Sequence, residues 1–353
     1  MGMHRFLLVV TVALSLWASA LVHADDFLFS RFSDYLDALR IQAGIPGLSA
    51  AIVGLDAVNW EGSFGRQNVE RNIAVRPDTP FQIDGTTQAI AASLAIRCAA
   101  DGWLSLDDTV GRFLPSSPDA NATMRQVLTH TTASPTGLTF AYRLDRLAPV
   151  APAIAGCTDS TYRWGMANLV ERFAMVDTVP GSDIVRLTAP AEHFTASALQ
   201  HYADVLQRLA TPYAVDAGGH ATPSSYTAST LTPSSGLIST VRDLEQFDLA
   251  LKNGVVMRST ALAFAWTPPT DANRQPLPHA YGWFVQNYNG EPVVWQFGAS
   301  DNASSSMLIT LPRRGLTLIL LANSQGLARS FPLAAGDITV SPFARLFLSI
   351  FAR

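Results

Sequence analysis

The chain has few side chains that could activate a nucleophile. It contains one lysine, Lys252, and its other basic residues are arginines and seven histidines. Arginine stays protonated near neutral pH and cannot act as a proton acceptor. A mechanism that needs a lysine base would therefore depend on Lys252, which lies in the segment LKNG.

Hydroxyl side chains are the other candidates for nucleophilic chemistry. The pattern G-x-S-x-G, which presents a serine on a strand-to-helix turn, does not occur. Ser304, Ser305 and Ser306 begin a predicted strand, and we interpret them as strand and turn residues. Thr86 and Thr87 begin a predicted helix, where such side chains commonly cap the first turn. A threonine nucleophile would in any case need a base.

Three histidines are candidate metal ligands: His193, His201 and His220. Their spacing matches no compact ligand motif such as H-E-x-x-H, and the acidic residues around them are scattered. We therefore predict no metal site and no cofactor.

Hydrophobic periodicity indicates the elements that would position these groups. Apolar residues at helical spacing predict an amphipathic helix over 26–43, and IPGLSAAIVG and VNWEGSFG predict two strands. The alanine-rich segment 86–101 predicts a helix that ends at Gly102. From there to about residue 215 the sequence predicts helices and loops without a convincing strand ladder.

Strand patterns return near the end of the chain. YGWFVQNY and EPVVWQFG flank Asn289-Gly290, a strong hairpin turn, and SSSMLITLP, LTLILLANS and PFARLFLSIFAR predict two strands and a closing helix. We predict an α/β (α+β) fold with one antiparallel sheet built from both chain ends and flanked by helices. The sheet lobe would comprise about residues 25–84 and 220–353. A mostly helical lobe, about 85–219, would be inserted, with a cleft between the lobes.

The first 24 residues predict a signal peptide. Arg5 precedes the apolar run FLLVVTVALSLWASAL, which is short for a membrane span, and Val22-His23-Ala24 precedes Asp25 as a cleavage site. We expect residues 25–353 to be periplasmic or secreted, without a membrane span after cleavage. The net charge of −4 and the lack of a Lys/Arg run argue against a nucleic-acid partner.

Cys98 and Cys157 are the two cysteines of the chain. Export would permit a disulfide between them. Alternatively, Cys98 is a small buried residue on a helix and Cys157 lies alone in a loop. The sequence leaves both states open.

A series of segments gives the chain a resemblance to a known family. Residues 79–110 read TPFQIDGTTQAIAASLAIRCAADGWLSLDDTV, and VLTHTTASP, SSGLISTVRDLEQF, YGW, VWQFG and LLANS follow in order. Together they resemble class C β-lactamases and related D-alanyl-D-alanine peptidases and esterases, which are penicillin-recognising serine hydrolases. The resemblance runs from about residue 47 to 324. It implies a β-lactamase/transpeptidase-like fold and a structural role for His130 in THTT.

The resemblance also locates the family's nucleophile and base. Family members carry a serine followed three residues later by a lysine on the same helix face. The ungapped register places Gly85 at the serine and Gln88 at the lysine. Glycine has no nucleophilic side chain, and glutamine can form hydrogen bonds but does not usefully accept a proton.

The second and third family motifs are also altered. Where the family has Tyr-x-Asn, the register anchored on Pro212-Tyr213 places Phe194 and Ala196. Where it has Lys-Thr-Gly or His-x-Gly, this chain has Gln296, Phe297 and Gly298. The resemblance implies that the backbone N–H groups of Gly85 and Ala299 could still form an oxyanion hole.

These losses predict a catalytically inactive pseudoenzyme. We expect no catalytic residues, and a non-covalent ligand site in the former cleft, with free space at Gly85. The site would be formed by Gly85, Gln88, Phe194, Gln296, Gly298 and Ala299. A cell-wall peptide or a periplasmic protein is the expected partner. The alternative is a β-lactamase, esterase or peptidase that uses an unrecognised nucleophile.

Overall fold

The computed structural model describes residues 27–186 and 194–352. The predicted signal peptide and His193 lie outside these residues. The helices are α1 (27–42), α2 (Thr87–Ala100), α3 (Met124–Leu128), α4 (Val150–Thr158), α5 (Tyr162–Arg172), α6 (Ala196–Gln207), α7 (Val241–Lys252), α8 (Ser259–Ala265) and α9 (Pro342–Phe351). Within the two described ranges, no helix is long and apolar enough to cross a membrane.

The strands come mainly from the two ends of the chain. They are β1 (Gly47–Val53), β2 (Val58–Asn68), β3 (Ile73–Ala74), β4 (Phe81–Gln82), β5 (Thr131–Ser134), β6 (Gly137–Phe140), β7 (Val179–Pro180), β8 (Tyr213–Val215), β9 (Ala221–Pro223), β10 (Leu237–Ser239), β11 (Phe284–Tyr288), β12 (Glu291–Ser300), β13 (Ser304–Leu311) and β14 (Leu316–Ala322).

Seven of these strands form one sheet in the order β11-β12-β13-β14-β1-β2-β3. Strands β1 and β14 pair antiparallel from Leu48 opposite Ala322 to Val53 opposite Thr317, which joins the two chain ends. The predicted hairpin joins β11 to β12, with positive φ at both Asn289 and Gly290. The prediction of one antiparallel sheet from both chain ends is confirmed.

The sheet is covered by helices on both faces because its strands alternate between two hydrophobic clusters. Leu48, Ala50 and Ile52 of β1 pack in the cluster that contains apolar side chains of α1 and α9. Ala51 and Val53 pack in the cluster that contains α2 and α7. The predicted helices at 26–43, 86–101 and the chain end correspond to α1, α2 and α9.

The middle of the chain is mainly helical, with one unpredicted ladder. Strands β5 and β6 form a hairpin from Thr131 opposite Phe140 to Ser134 opposite Gly137. These strands are short and mostly half-buried or exposed, so they lack the apolar alternation that identifies longer strands. The expectation of no strand ladder in this region is therefore wrong.

A disulfide ties α2 to α4. The Cys98 and Cys157 sulfurs are 2.02 Å apart, and their Cα atoms are 6.0 Å apart. Of the two states that the sequence left open, the structure has the bonded one. The crosslink fixes the far end of the helix whose first turn carries Gln88.

Candidate functional site

The site lies where a free edge of β12 meets the turn before α2. Strand β11 pairs with β12 only as far as Trp295, so the residues from Gln296 onward have no β11 partner. The short 3₁₀ turn Asp84–Thr86 packs against this part of β12. The fold therefore brings the first and third motif positions together.

Gly85 and Gly298 allow the two backbones to approach closely. A Cβ atom on Gly85 would lie 2.8 Å from the carbonyl oxygen of Phe297 and 3.4 Å from Cα of Gly298. A Cβ atom on Gly298 would lie 2.2 Å from the carbonyl oxygen of Ile83. The free space expected at Gly85 is therefore absent, because the β12 backbone occupies it.

Gln88 connects two side chains through its neutral amide. Its Nε2 donates to the Tyr142 hydroxyl at 2.5 Å, and its Oε1 lies 2.9 Å from Nε2 of His130. The side chain is almost fully buried, with 1% exposure. Because a neutral amide donates and accepts at the same time, it satisfies two neighbours that a lysine ammonium could not both satisfy.

His130 is held as a neutral imidazole. Its Nδ1 accepts from the backbone N–H of Arg143 at 3.0 Å, so its proton lies on Nε2 and points to Oε1 of Gln88. Burial, and to a smaller extent the positive charge of the nearby Arg146, lowers the pKa of His130 to about 3. Burial also lowers the pKa of His279, whose ring centroid is 4.6 Å from that of His130.

Gln296 is used to complete the edge of β12. Its Oε1 accepts from the backbone N–H of Phe297 at 2.8 Å, and its Nε2 donates to the carbonyl oxygen of Gly282 at 2.9 Å. The side chain thus replaces hydrogen bonds that β11 would otherwise supply. Gln296 is fully buried, and neither of these contacts requires a charge.

Tyr142 is the site residue that sequence reasoning missed. Its hydroxyl bonds to Gln88, lies 3.4 Å from Oε1 of Gln296, and would be 3.6 Å from a Cβ atom on Gly85. Its ring stacks against Phe297, with centroids 5.5 Å apart. Burial raises the pKa of its hydroxyl, which therefore stays protonated. Tyr142 follows the short hairpin β5–β6 and belongs to no family motif, so only tertiary packing reveals its position.

Three hydroxyls near Gly85 have hydrogen-bond partners inside the protein, whereas the Thr87 hydroxyl is buried without one among the described residues. Ser306 Oγ donates to the carbonyl oxygen of Ile83 at 2.6 Å and lies 2.7 Å from Thr86 Oγ1. Ser304 Oγ donates to the carboxyl of Asp84 at 2.6 Å. All four side chains, Ser304, Ser306, Thr86 and Asp84, are buried. They are interior packing groups rather than exposed nucleophiles. The expected capping role of Thr86 and Thr87 is wrong, because neither hydroxyl accepts a hydrogen bond from the first turn of α2.

Asp84 is a buried acid directly before Gly85. Burial raises the pKa of Asp84 and the hydrogen bond from Ser304 lowers it by less, so the pKa is raised to about 7. Its φ of 47° is in the left-handed region, which Asp adopts more readily than most residues. The sequence contained no signal that this carboxyl would be buried.

Lys252 lies far from this site. Its Nζ pairs with Asp248 at 2.6 Å and donates to the carbonyl oxygens of Val53 and Gly54. Across the sheet, Gly298 of the site is level with Ser49 of β1. Val53, which accepts a hydrogen bond from Lys252, is four residues farther along β1. At the usual rise per strand residue, this separates Val53 from the level of Gly298 by roughly 13 Å along the strand.

Among the described residues, the ring contacts of Phe194 are with Trp164 and Tyr202 and not with the rings around Gly85. Its ring centroid is 5.1 Å from that of Trp164 and 6.1 Å from that of Tyr202. It packs beside a small cluster that contains Val205 and Ile238. Ala196 begins α6, and Ala299 is exposed on the edge of β12. Of the predicted site residues, Gly85, Gln88, Gln296 and Gly298 are thus brought together around Tyr142.

Comparison with known proteins identifies the family. The beta-lactamase family model matches residues 32–340. The chain belongs to the beta-lactamase family. Within the described residues, no group of three or more His, Cys, Asp or Glu side chains is arranged to hold a metal ion.

Curated relatives match at low identity over most of this chain. Protein flp of Staphylococcus aureus strain MW2 is 25% identical over 309 residues, which cover 79% of this chain and 60% of that protein. This chain thus spans about 60% of the length of the curated relatives that it matches first. A beta-lactamase of Psychrobacter immobilis is 32% identical over 108 residues, 31% of this chain and 26% of that protein.

Solved structures of the same fold confirm the predicted architecture. The octameric penicillin-binding protein homologue from Pyrococcus abyssi superposes with a TM-score of 0.72 and 17% identity, covering 91% of this chain and 77% of that one. A class C beta lactamase from Rhodobacter sphaeroides has a TM-score of 0.66 and 18% identity, covering 90% and 99%. These similarities establish the β-lactamase/transpeptidase-like fold.

Proposed function

We propose that this beta-lactamase family member does not catalyse acyl transfer and acts by non-covalent binding, as a binding or regulatory protein of the cell envelope. The observation that carries the proposal is the neutral hydrogen-bonded chain His130–Gln88–Tyr142 beside Gly85. It stands where the family resemblance places a serine and its lysine base.

Acyl transfer needs a nucleophile and a group that accepts its proton. Gly85 supplies no nucleophile, and the amide of Gln88 is not a base. His130, with a pKa lowered to about 3, is a very weak base, and its Nδ1 lone pair already accepts a backbone hydrogen bond. The Tyr142 hydroxyl holds its proton more tightly than usual. A hydrolase with an unrecognised nucleophile would need a group outside this set.

The exposed edge of β12 is the proposed binding surface. Ala299 is exposed, whereas Gly298 is buried against the turn at Gly85. Because the Phe297 N–H is bonded to Gln296, an extended cell-wall peptide or a segment of a periplasmic protein would bind at Ala299 by main-chain hydrogen bonds, a common mode of peptide recognition. Tyr142 would form part of the floor of the site rather than react with the ligand.

Intact-mass spectrometry after incubation with a penicillin and an activated ester tests the loss of catalysis. We expect no mass increase from protein that circular dichroism shows to be folded, while a class C beta-lactamase in the same reagents is acylated. A stoichiometric adduct would contradict the proposal, and mapping the modified residue would identify the nucleophile of the alternative hydrolase.

Thermal unfolding with soluble cell-wall peptides tests the binding part of the proposal. A ligand that binds only the folded state raises the melting temperature in a concentration-dependent way. We expect such a shift without turnover, and we expect Ala299→Pro, which removes a main-chain N–H on the β12 edge, to abolish it. Lack of a shift would argue against a cell-wall peptide and leave a protein partner to be sought by crosslinking.

A further inference from the structure

A cavity lies on the face of the sheet that carries α1 and α9. Its volume is about 600 Å³, and none of its lining residues belongs to the candidate site. Part of its wall is apolar, formed by Leu39, Ala43, Val215, Phe331 and Phe343. The cavity is therefore large enough for a small organic molecule and offers it an apolar surface.

Two guanidinium groups line the same cavity. Arg329 donates from Nη1 to the carbonyl oxygen of Val215, and Arg345 donates from Nη1 to that of Thr339 at 3.0 Å. Among the residues that the structure describes, neither has a carboxylate partner. A hydrogen bond to the backbone orients each arginine side chain. No neighbouring carboxylate among the described residues neutralises its charge. The remaining N–H groups of each guanidinium are therefore available to bind an anion.

The one acidic side chain in the wall is already engaged. Oδ1 of Asp216 accepts from the backbone N–H groups of Gly218 at 2.8 Å and His220 at 2.9 Å. Its Oδ2 lies 3.3 Å from Nδ1 of His220. The His220 backbone bond is the main cause of the lowered pKa of Asp216. Hydrogen bonds from its own loop therefore keep Asp216 ionised, and it does not pair with either arginine.

We propose that this cavity binds a small carboxylic acid with an apolar body. The carboxylate would bond to Arg329 and Arg345, whose planar forks match its two oxygens, and the body would pack against Phe331 and Phe343. This inference is independent of the proposed function of the β12 edge, because the two surfaces share no residue.

Isothermal titration calorimetry with 4-phenylbutyrate, on the full chain at low salt, tests the proposal. We expect saturable one-site binding that 4-phenylbutanol, the neutral analogue of the same body, does not reproduce. Because the alcohol lacks the charge that strengthens hydrogen bonds to guanidinium groups, it should bind at least about tenfold more weakly. Equal binding of acid and alcohol, or no saturable binding up to about 10 mM acid, would overturn the proposal.

Three variants locate the binding site. Arg329→Gln and Arg345→Gln should each weaken 4-phenylbutyrate binding at least about tenfold. The matched control Arg71→Gln, at an exposed arginine that does not line the cavity, should leave binding unchanged. If all three variants bind like the unmodified chain, the acid binds elsewhere and the assignment fails. Circular dichroism of each variant separates loss of binding from loss of folding.

Discussion

At the scale of single residues, Gly85 allows the turn before α2 to pack closely against β12. The β12 backbone lies against it so closely that even a methyl group has no room. The lack of a side chain at Gly85 and the close packing of the β12 strand on the turn thus belong to one arrangement. A serine at this position would require β12 to move away from the turn.

Gly85→Ser should therefore destabilise the fold. Its Cβ would lie 2.8 Å from a backbone oxygen that cannot rotate away, and overpacking of this kind costs about 1–3 kcal/mol. Urea unfolding of the variant measures the loss. The control Gly156→Ala, on α4 with no atom within 4 Å of the added Cβ, should keep or raise stability. An unchanged unfolding midpoint for Gly85→Ser would show that β12 can shift away from the turn without a measurable loss of stability.

Tyr142 shows how a neutral hydrogen-bond chain depends on one hydroxyl. Tyr142→Phe removes the acceptor of Gln88 Nε2 and leaves that buried donor without this partner, which should cost about 1–3 kcal/mol. The control Tyr35→Phe removes a hydroxyl from a side chain that is 51% exposed. It should change the free energy of unfolding by less than about 0.5 kcal/mol. Equal effects of the two changes would mean that the Gln88–Tyr142 bond contributes nothing to stability.

Asp84 should make stability depend on pH. Its pKa is raised to about 7 from 3.8, so between these values the unfolded chain releases a proton that the folded chain keeps. The carboxyl therefore stabilises the fold least above pH 7, and its contribution declines as the pH rises through this window. The stability of Asp84→Asn relative to the unmodified chain should increase over the same window and then level off. Urea unfolding across the pH range measures this difference, and a constant difference would show that Asp84 is ionised in the folded protein.

At the scale of elements, α2 links the site to the helical region. Its first turn carries Gln88, and Cys98 near its end is joined to α4 across a separation of 59 residues. The alanine-rich composition of the segment, ended by Gly102, predicted the helix itself. It could not identify the partner helix, because pairing between distant cysteines depends on how α2 and α4 pack.

Removing the crosslink should destabilise the molecule strongly. By closing a loop of this length, the disulfide lowers the conformational entropy of the unfolded chain and stabilises the folded state by about 4 kcal/mol. Cys98→Ala with Cys157→Ala should lower the urea midpoint and make it insensitive to reductant, whereas the midpoint of the unmodified chain should fall when reductant is added. A double variant as stable as the oxidised chain would show that helix packing alone holds α2 to α4.

At the scale of the whole molecule, a shared core opposes separate unfolding of the lobes. One hydrophobic cluster contains Ala51 of β1, Ile319 of β14, Leu244 of α7, Ile90 of α2 and Met166 of α5. Side chains from the sheet and from the middle of the chain thus pack in one interior. The lobe boundaries at about residues 84 and 220, which stay a prediction, divide the chain but not this core.

A single unfolding transition should follow from that shared core. Tryptophan fluorescence and far-ultraviolet circular dichroism should report the same urea midpoint, as expected for cooperative two-state behaviour. Two separated midpoints would show instead that the predicted sheet lobe and helical lobe unfold independently.

The sequence by itself determined the long elements, the order of the strands along the chain and the positions of Gly85, Gln88 and Gln296. These follow from periodicity and motif spacing, which report local geometry and the burial of one face. Tertiary structure alone decided that Tyr142 sits between Gln88 and Gln296, that Phe194 packs beside Trp164, and that Cys98 pairs with Cys157. It also decided that the space at Gly85 is closed. Each of these depends on how segments far apart in sequence pack against one another, and no local pattern encodes that packing.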